Sequence, residues 1–94
     1  MDKFRVYFNN YNKGKDLVFL FSKTSGWVSK PLVYKNDYRG NKNFVDIPLN
    51  LREEFISFLK SHANTYENSK YVIKISFGYK SEENIFISWA RKKR

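Results

Sequence analysis

Between Phe4 and Asn10 apolar and polar residues alternate, with Phe4, Val6 and Phe8 on one side and Arg5, Tyr7 and Asn9 on the other. That is the two-residue period of a half-buried strand. The following run NNYNKGKD is rich in Asn, Gly and Asp, which tolerate left-handed backbone conformations, and it predicts a turn. Asp16 to Ser22 then carries LVFLF, apolar on both faces, and predicts a central strand covered on both sides. After a second turn at KTSG, a third strand is expected over Trp27 to Lys35, with Val28, Lys30, Leu32 and Tyr34 sharing a face. Pro31 should interrupt it, because proline donates no ladder hydrogen bond. Asn36 to Asn43 (NDYRGNKN) reads as a loop, and Phe44 to Ile47 as a short fourth strand ended by Pro48.

Asn50 stands three residues before Glu53, the spacing of a capping box, in which the Asn side chain accepts from an early helix amide and the Glu reaches back to the cap. Leu51, Phe55, Phe58, Leu59 and His62 then keep the helical period, with Arg52, Glu53, Ser57, Lys60 and Ser61 opposite. The helix should end near Ala63 to Thr65. In the last third, Tyr71 to Tyr79 and Asn84 to Ala90 both alternate, separated by KSEEN, and predict a hairpin of two amphipathic strands. The expected architecture is α+β: a single domain over 1–90, with a five- to six-stranded, mostly antiparallel curved sheet packed on one α-helix in the order β-β-β-β-α-β-β. A solvated basic tail is expected at 91–94.

Charge changes this picture from a fold to a candidate partner. The 94 residues hold 18 Lys and Arg against 9 Asp and Glu, a formal net charge of +9, interleaved with nine Phe, seven Tyr and two Trp. Such an imbalance opposes compaction by self-repulsion and attracts polyanions. The absence of Cys excludes disulfides, thiolate metal sites and a Cys nucleophile. The N-terminus lacks the apolar core of a signal peptide. The longest apolar run, Leu17 to Phe21, falls far short of the roughly 20 residues that span a bilayer, so a cytoplasmic protein without a membrane partner is expected. Lys, Asn, Phe, Tyr and Ile have AT-rich codons, which points to an AT-rich genome such as that of a bacteriophage, mobile element or low-GC bacterium.

From Arg5 to Asn43 eight positive residues face two negative ones. Lys13, Lys15, Arg39 and Lys42, expected in loops, with Lys30 and Lys35 and the tail Arg91, Lys92, Lys93 and Arg94, supply distributed cations of the kind that phosphate backbones need. Bases of single strands stack on exposed rings. Tyr7, Trp27 and Tyr38 are the candidates, because they lie opposite the apolar face or in polar surroundings, while Trp89 continues the Ile85 and Ile87 face and should be core. His62, the only histidine, falls on the apolar side of the helix and is expected to be structural. The pairs Glu53/Glu54 and Glu82/Glu83 are adjacent and do not converge, the four glycines are isolated, and no GxxxxGK loop occurs. Neither a catalytic residue, a metal nor a cofactor is expected.

The element order, with IPLNLREEFISFLKS passing from strand into helix, resembles that of PUR-like single-stranded-DNA-binding modules, which set a four-stranded sheet before one helix and dimerise. The resemblance spans Phe4 to Ala63 and leaves the C-terminal hairpin outside it. It implies single-stranded nucleic acid as ligand. The leading expectation is thus a small, non-enzymatic nucleic-acid-binding protein, monomeric or homodimeric, for single-stranded DNA or RNA. A second is a phage or mobile-element inhibitor or accessory protein that docks on an acidic surface of a host enzyme or defence complex. A third is a ribonuclease toxin that works without His, for which Tyr38, Arg39 and Glu67 are nominated by residue type.

Overall fold

Asn10 begins a helix where the apolar run predicted a strand. In the computed structural model, which describes residues 3–37, 40–66, 71–77 and 84–91, strand β1 (Lys3–Phe8) is followed by helix α1 (Tyr11–Ser25). The Asn10 side chain accepts a hydrogen bond from the Lys13 backbone N–H at 3.0 Å and caps the first turn. At the other end Gly26 adopts φ 77°, and its N–H donates to the Ser22 carbonyl at 2.9 Å, the left-handed stop that glycine makes without strain. Inside LVFLF, Leu17, Val18 and Phe21 are buried together with Gly14, the i, i+3, i+4, i+7 stripe of a helix. Phe19 and Leu20, which made the run look apolar on both faces, are exposed. The strand expected over Asp16 to Ser22 is therefore a helix.

The chain continues through β2 (Val33–Asp37), β3 (Gly40–Pro48), a short 3₁₀ turn (Leu49–Leu51), α2 (Arg52–Tyr66), β4 (Tyr71–Phe77) and β5 (Asn84–Arg91). The third strand begins only at Val33, past Pro31. The region expected as a loop is instead most of a β2–β3 hairpin, in which Asn36 pairs with Asn41 and Asp37 with Gly40. Asn50, expected at a helix cap, lies inside the 3₁₀ turn, and the α-helix starts two residues later. The order is β-α-β-β-α-β-β, with two helices where one was expected. The likeness in element order to PUR-like modules ends with α1.

The sheet is five-stranded and mixed, in the order β2-β3-β1-β5-β4. Three neighbouring pairs are antiparallel, as expected, but β1 and β5 run parallel, with Val6 beside Ile85 and Phe8 beside Ile87. Both helices lie on one face. There Phe4, Val6 and Phe8 of β1 join Val45 and Ile47, Ile85, Ile87 and Trp89, and Leu17, Val18, Phe21, Phe55, Phe58 and Leu59 from the helices. Phe55 is the hub, edge-on to Phe21 at 4.9 Å and 5.9 Å from Phe4. The chain forms one compact α+β domain, with a radius of gyration of 13.1 Å, close to the roughly 12 Å of a compact chain this long.

Gly14 brings α1 onto β1. A Cβ built at Gly14 would stand 2.6 Å from Cγ of Phe8, a ring that is itself buried and stacked on Trp89 at 5.9 Å. Gly to Ala inside a helix ordinarily gains about 1 kcal/mol. Here Gly14→Ala is expected to lose roughly 1 to 3 kcal/mol, because the Phe8 ring has nowhere to retreat. Phe55→Ala should lose roughly 3 to 5 kcal/mol through lost contacts and the cavity left behind. Urea unfolding of the two variants checks both signs; a more stable Gly14→Ala protein would show that the α1–β1 contact is loose.

Candidate nucleic-acid interface

With the helices on one face, alternation turns the intervening residues of β1, β3 and β5 to the other, which neither helix covers. Arg5 and Tyr7 come from β1, Phe44 and Asp46 from β3, and Asn84, Phe86 and Ser88 from β5. The register then aligns them across the strands. Tyr7 pairs with Phe44 on one side and with Phe86 on the other, so three rings cross the middle of the sheet in one row. Tyr7 and Phe86 are stacked, with centroids 5.0 Å apart and planes 9° from parallel. Tyr7 and Phe44 are tilted at 54° and 5.7 Å apart.

The neighbouring row is ionic. Arg5 pairs with Asp46 across β1 and β3 and donates from Nε to Oδ1 at 2.9 Å and from Nη2 to Oδ2 at 3.2 Å, the two-pronged geometry that suits guanidinium to carboxylate. The same guanidinium lies over the Phe44 ring, 4.1 Å from its centroid, a cation–π contact. Hydrogen bonding by Arg5 holds the Asp46 carboxyl below the usual carboxylate range, against the opposing effect of burial. The Asp46 bond likewise holds Arg5 more firmly protonated. The three rings therefore differ in access. Phe44 is roofed and only 7% exposed, Tyr7 is half-buried, and Phe86 is 37% exposed.

Three lysine positions share the face of this row in the register. Lys74 of β4 is exposed and pairs with Ser88. Lys35 and Lys42 are register partners two residues along from the pair Val33 and Phe44, which puts both positions on the face of the ring row. At the outer edge of β3, past the start of β2, a cleft of about 340 Å³ opens between Phe44, Asp46 and Pro48 on one wall and Trp27, Val28 and Pro31 on the other, with Lys3 and Lys30 among its lining residues. Trp27 is half-buried there and packs toward the core, 6.1 Å from Phe21.

The remaining candidates are scattered. Lys13 and Lys15, expected in a loop, stand in the first turns of α1, in the helix layer rather than on the open face; Lys15 lines a separate cleft of about 500 Å³ that also includes Tyr11 and Phe19. Arg91, assigned to the tail, is the last residue of β5, exposed and paired with Tyr71. Tyr38, Arg39, Glu67, Lys92, Lys93 and Arg94 lie outside the described residues. Of the three rings proposed for stacking, Tyr7 joins the row. Phe44 and Phe86 were missed, although an aromatic residue among Asn84, Ser88 and Ala90 on the polar side of a strand was a visible signal for Phe86. His62 is tied to its own helix, with Nδ1 3.1 Å from the Phe58 carbonyl and its ring 4.1 Å from that of Phe58. Among the described residues no three His, Asp or Glu side chains gather as metal ligands, and no helix is long and apolar enough to cross a membrane.

No family model, no curated protein and no solved structure matches the chain.

The Arg5–Asp46 pair makes a pH-dependent contribution whose sign follows from the carboxyl. A folded-state pKa below the unfolded one adds stability at neutral pH, and that stability disappears as pH falls through the lowered value. Side-chain exposures of 40% and 33% mean that solvent screens the pair, so Asp46→Asn should cost about 1 kcal/mol or less at neutral pH. Unfolding curves of the two proteins should converge in acid, below the ordinary carboxylate range. A gap that persists there would assign the cost to packing over Phe44 instead.

Proposed function

We propose that this chain is a non-enzymatic protein that binds single-stranded nucleic acid, DNA or RNA, on the uncovered face of its sheet. The row of Phe44, Tyr7 and Phe86 on the face that neither α1 nor α2 covers carries the reading. Bases of a single strand offer π-faces that aromatic side chains hold in a sequence-tolerant way, and nearby cations hold the backbone. A duplex keeps its bases stacked on one another and offers such a row little. The net charge of +9 adds the long-range attraction that brings a polyanion to the face.

A second reading, docking on an acidic protein surface, draws on the outer side of α1. Phe19 is 59% exposed there, next to exposed Tyr11 and Leu20, and Lys23 Nζ sits 4.9 Å from the Phe19 ring centroid. Apolar surface rimmed by lysine suits a protein partner better than a phosphate backbone.

Titration of labelled oligonucleotides against salt separates the two. The protein is expected to prefer single strands to duplex of the same sequence. Neutralising Lys35 and Lys42 together (Lys35→Gln with Lys42→Gln) should weaken binding to all sequences alike and flatten the log–log salt slope by roughly 0.7 per lost phosphate contact. The pair Lys13→Gln with Lys15→Gln, in the helix layer, should change the slope by less. Equal effects of the two pairs would move the interface off the sheet, and absence of binding at low salt would hand the case to the α1 reading.

A further inference from the structure

We infer that the outer face of the Phe86 ring, over β4, is a single nucleobase site, with Lys74 as the contact for the adjoining phosphate; this rests on the sheet-face reading above. The near-parallel stack with Tyr7 occupies one face of Phe86, the one toward β1. The opposite face looks toward β4, because β5 lies between β1 and β4 in the sheet. The side chains beneath that face are small. Ser76 pairs directly with Phe86, and Ser88 follows two residues along β5. Among the described residues, then, no bulky apolar side chain is paired against this side of the ring, and Phe86 is the most exposed ring of the row.

Three further features give the site its chemistry. Tyr7 backs Phe86 and presets the ring, so little side-chain freedom is lost when a base stacks on it. Lys74 pairs with Ser88 and is exposed, a diagonal neighbour of Phe86 at roughly 7 to 8 Å between backbone positions, which a lysine spans to reach a phosphate of a stacked nucleotide. The serine hydroxyls of Ser76 and Ser88 can donate or accept, so they accommodate the edges of any base. The ligand class that follows is an unpaired nucleotide within a strand, selected by stacking and charge and not by base identity.

The test uses the full chain, twelve-nucleotide oligomers of deoxythymidine and of uridine, and a twelve-nucleotide strand of abasic sites, read by fluorescence anisotropy. Phe86→Ala should weaken the two base-bearing oligomers by roughly 5- to 100-fold, leave the abasic strand within twofold and keep the salt slope. Phe86→Trp should restore binding. Ser76→Ile, which lays a branched side chain against the outer ring face at an exposed strand position, should reproduce the loss with the ring still present. Lys74→Gln should instead lower the slope by roughly 0.7. Oligomer binding by the unaltered protein together with Ser76→Ile and a folded Phe86→Ala both within twofold of it would overturn the base site and leave the sheet-face reading standing. If Phe86→Ala unfolds, Ser76→Ile alone decides. No binding of any oligomer by the unaltered protein would overturn both.

Discussion

Everything in this fold depends on the two-sided pairing of β1. Six residues long, it is hydrogen-bonded to β3 on one edge and to β5 on the other, so its register orients the whole sheet. A slip of one residue would turn Arg5 and Tyr7 into the core and Phe4, Val6 and Phe8 out of it. The strand also positions the first helix through a two-residue joint. Asn9 extends the pairing with β5 past the strand end: its side chain accepts from the Trp89 N–H at 2.9 Å and donates to the Trp89 carbonyl at 3.2 Å. Asn10, the next residue, caps α1. One asparagine thus holds the sheet and its neighbour starts the helix, and Gly14 one turn later lets that helix settle on Phe8.

The ring row follows from topology more than from any local motif. Phe44, Tyr7 and Phe86 come from three strands widely separated along the chain, and a parallel β1–β5 pair cannot be closed by a hairpin. The chain must travel through both helices and three strands before β5 reaches the free edge of β1. Only then do Tyr7 and Phe86 stack. The uncovered face is therefore completed last along the chain, although its centre lies at Tyr7.

Periodicity made β1, the α2 stripe and the β4–β5 hairpin legible, because each carries its apolar residues at one clean spacing. Helix α1 was hidden by its own exposed residues. Phe19 and Leu20 fill the gaps between Leu17, Val18 and Phe21, and a run of five apolar residues has no readable period. The Asn-rich stretch before it misled for a related reason, since asparagine serves turns and helix caps alike. Past Val33 and Tyr34, β2 and the start of β3 are polar on both faces, as edge hairpins often are, so nothing in NDYRGNKN distinguished ladder from loop. Alternation was enough to single out Tyr7. The same alternation marked Phe86 on the polar side of its strand, whereas Phe44 carried no such mark until strand pairing put all three side by side.

The ion pair decides which of these rings meets solvent. Arg5 held by Asp46 lies over Phe44, so that ring serves as the floor of a cation–π contact and is only 7% exposed. At the other end of the row the partner strand offers Ser76, whose short side chain leaves Phe86 uncovered. A face with the same three rings but a small residue at position 5 and a long one at position 76 would expose the opposite end. Access along the row is thus set by its neighbours, and the open end lies on the side of Lys74, where a cation is free of the carboxylate that engages Arg5.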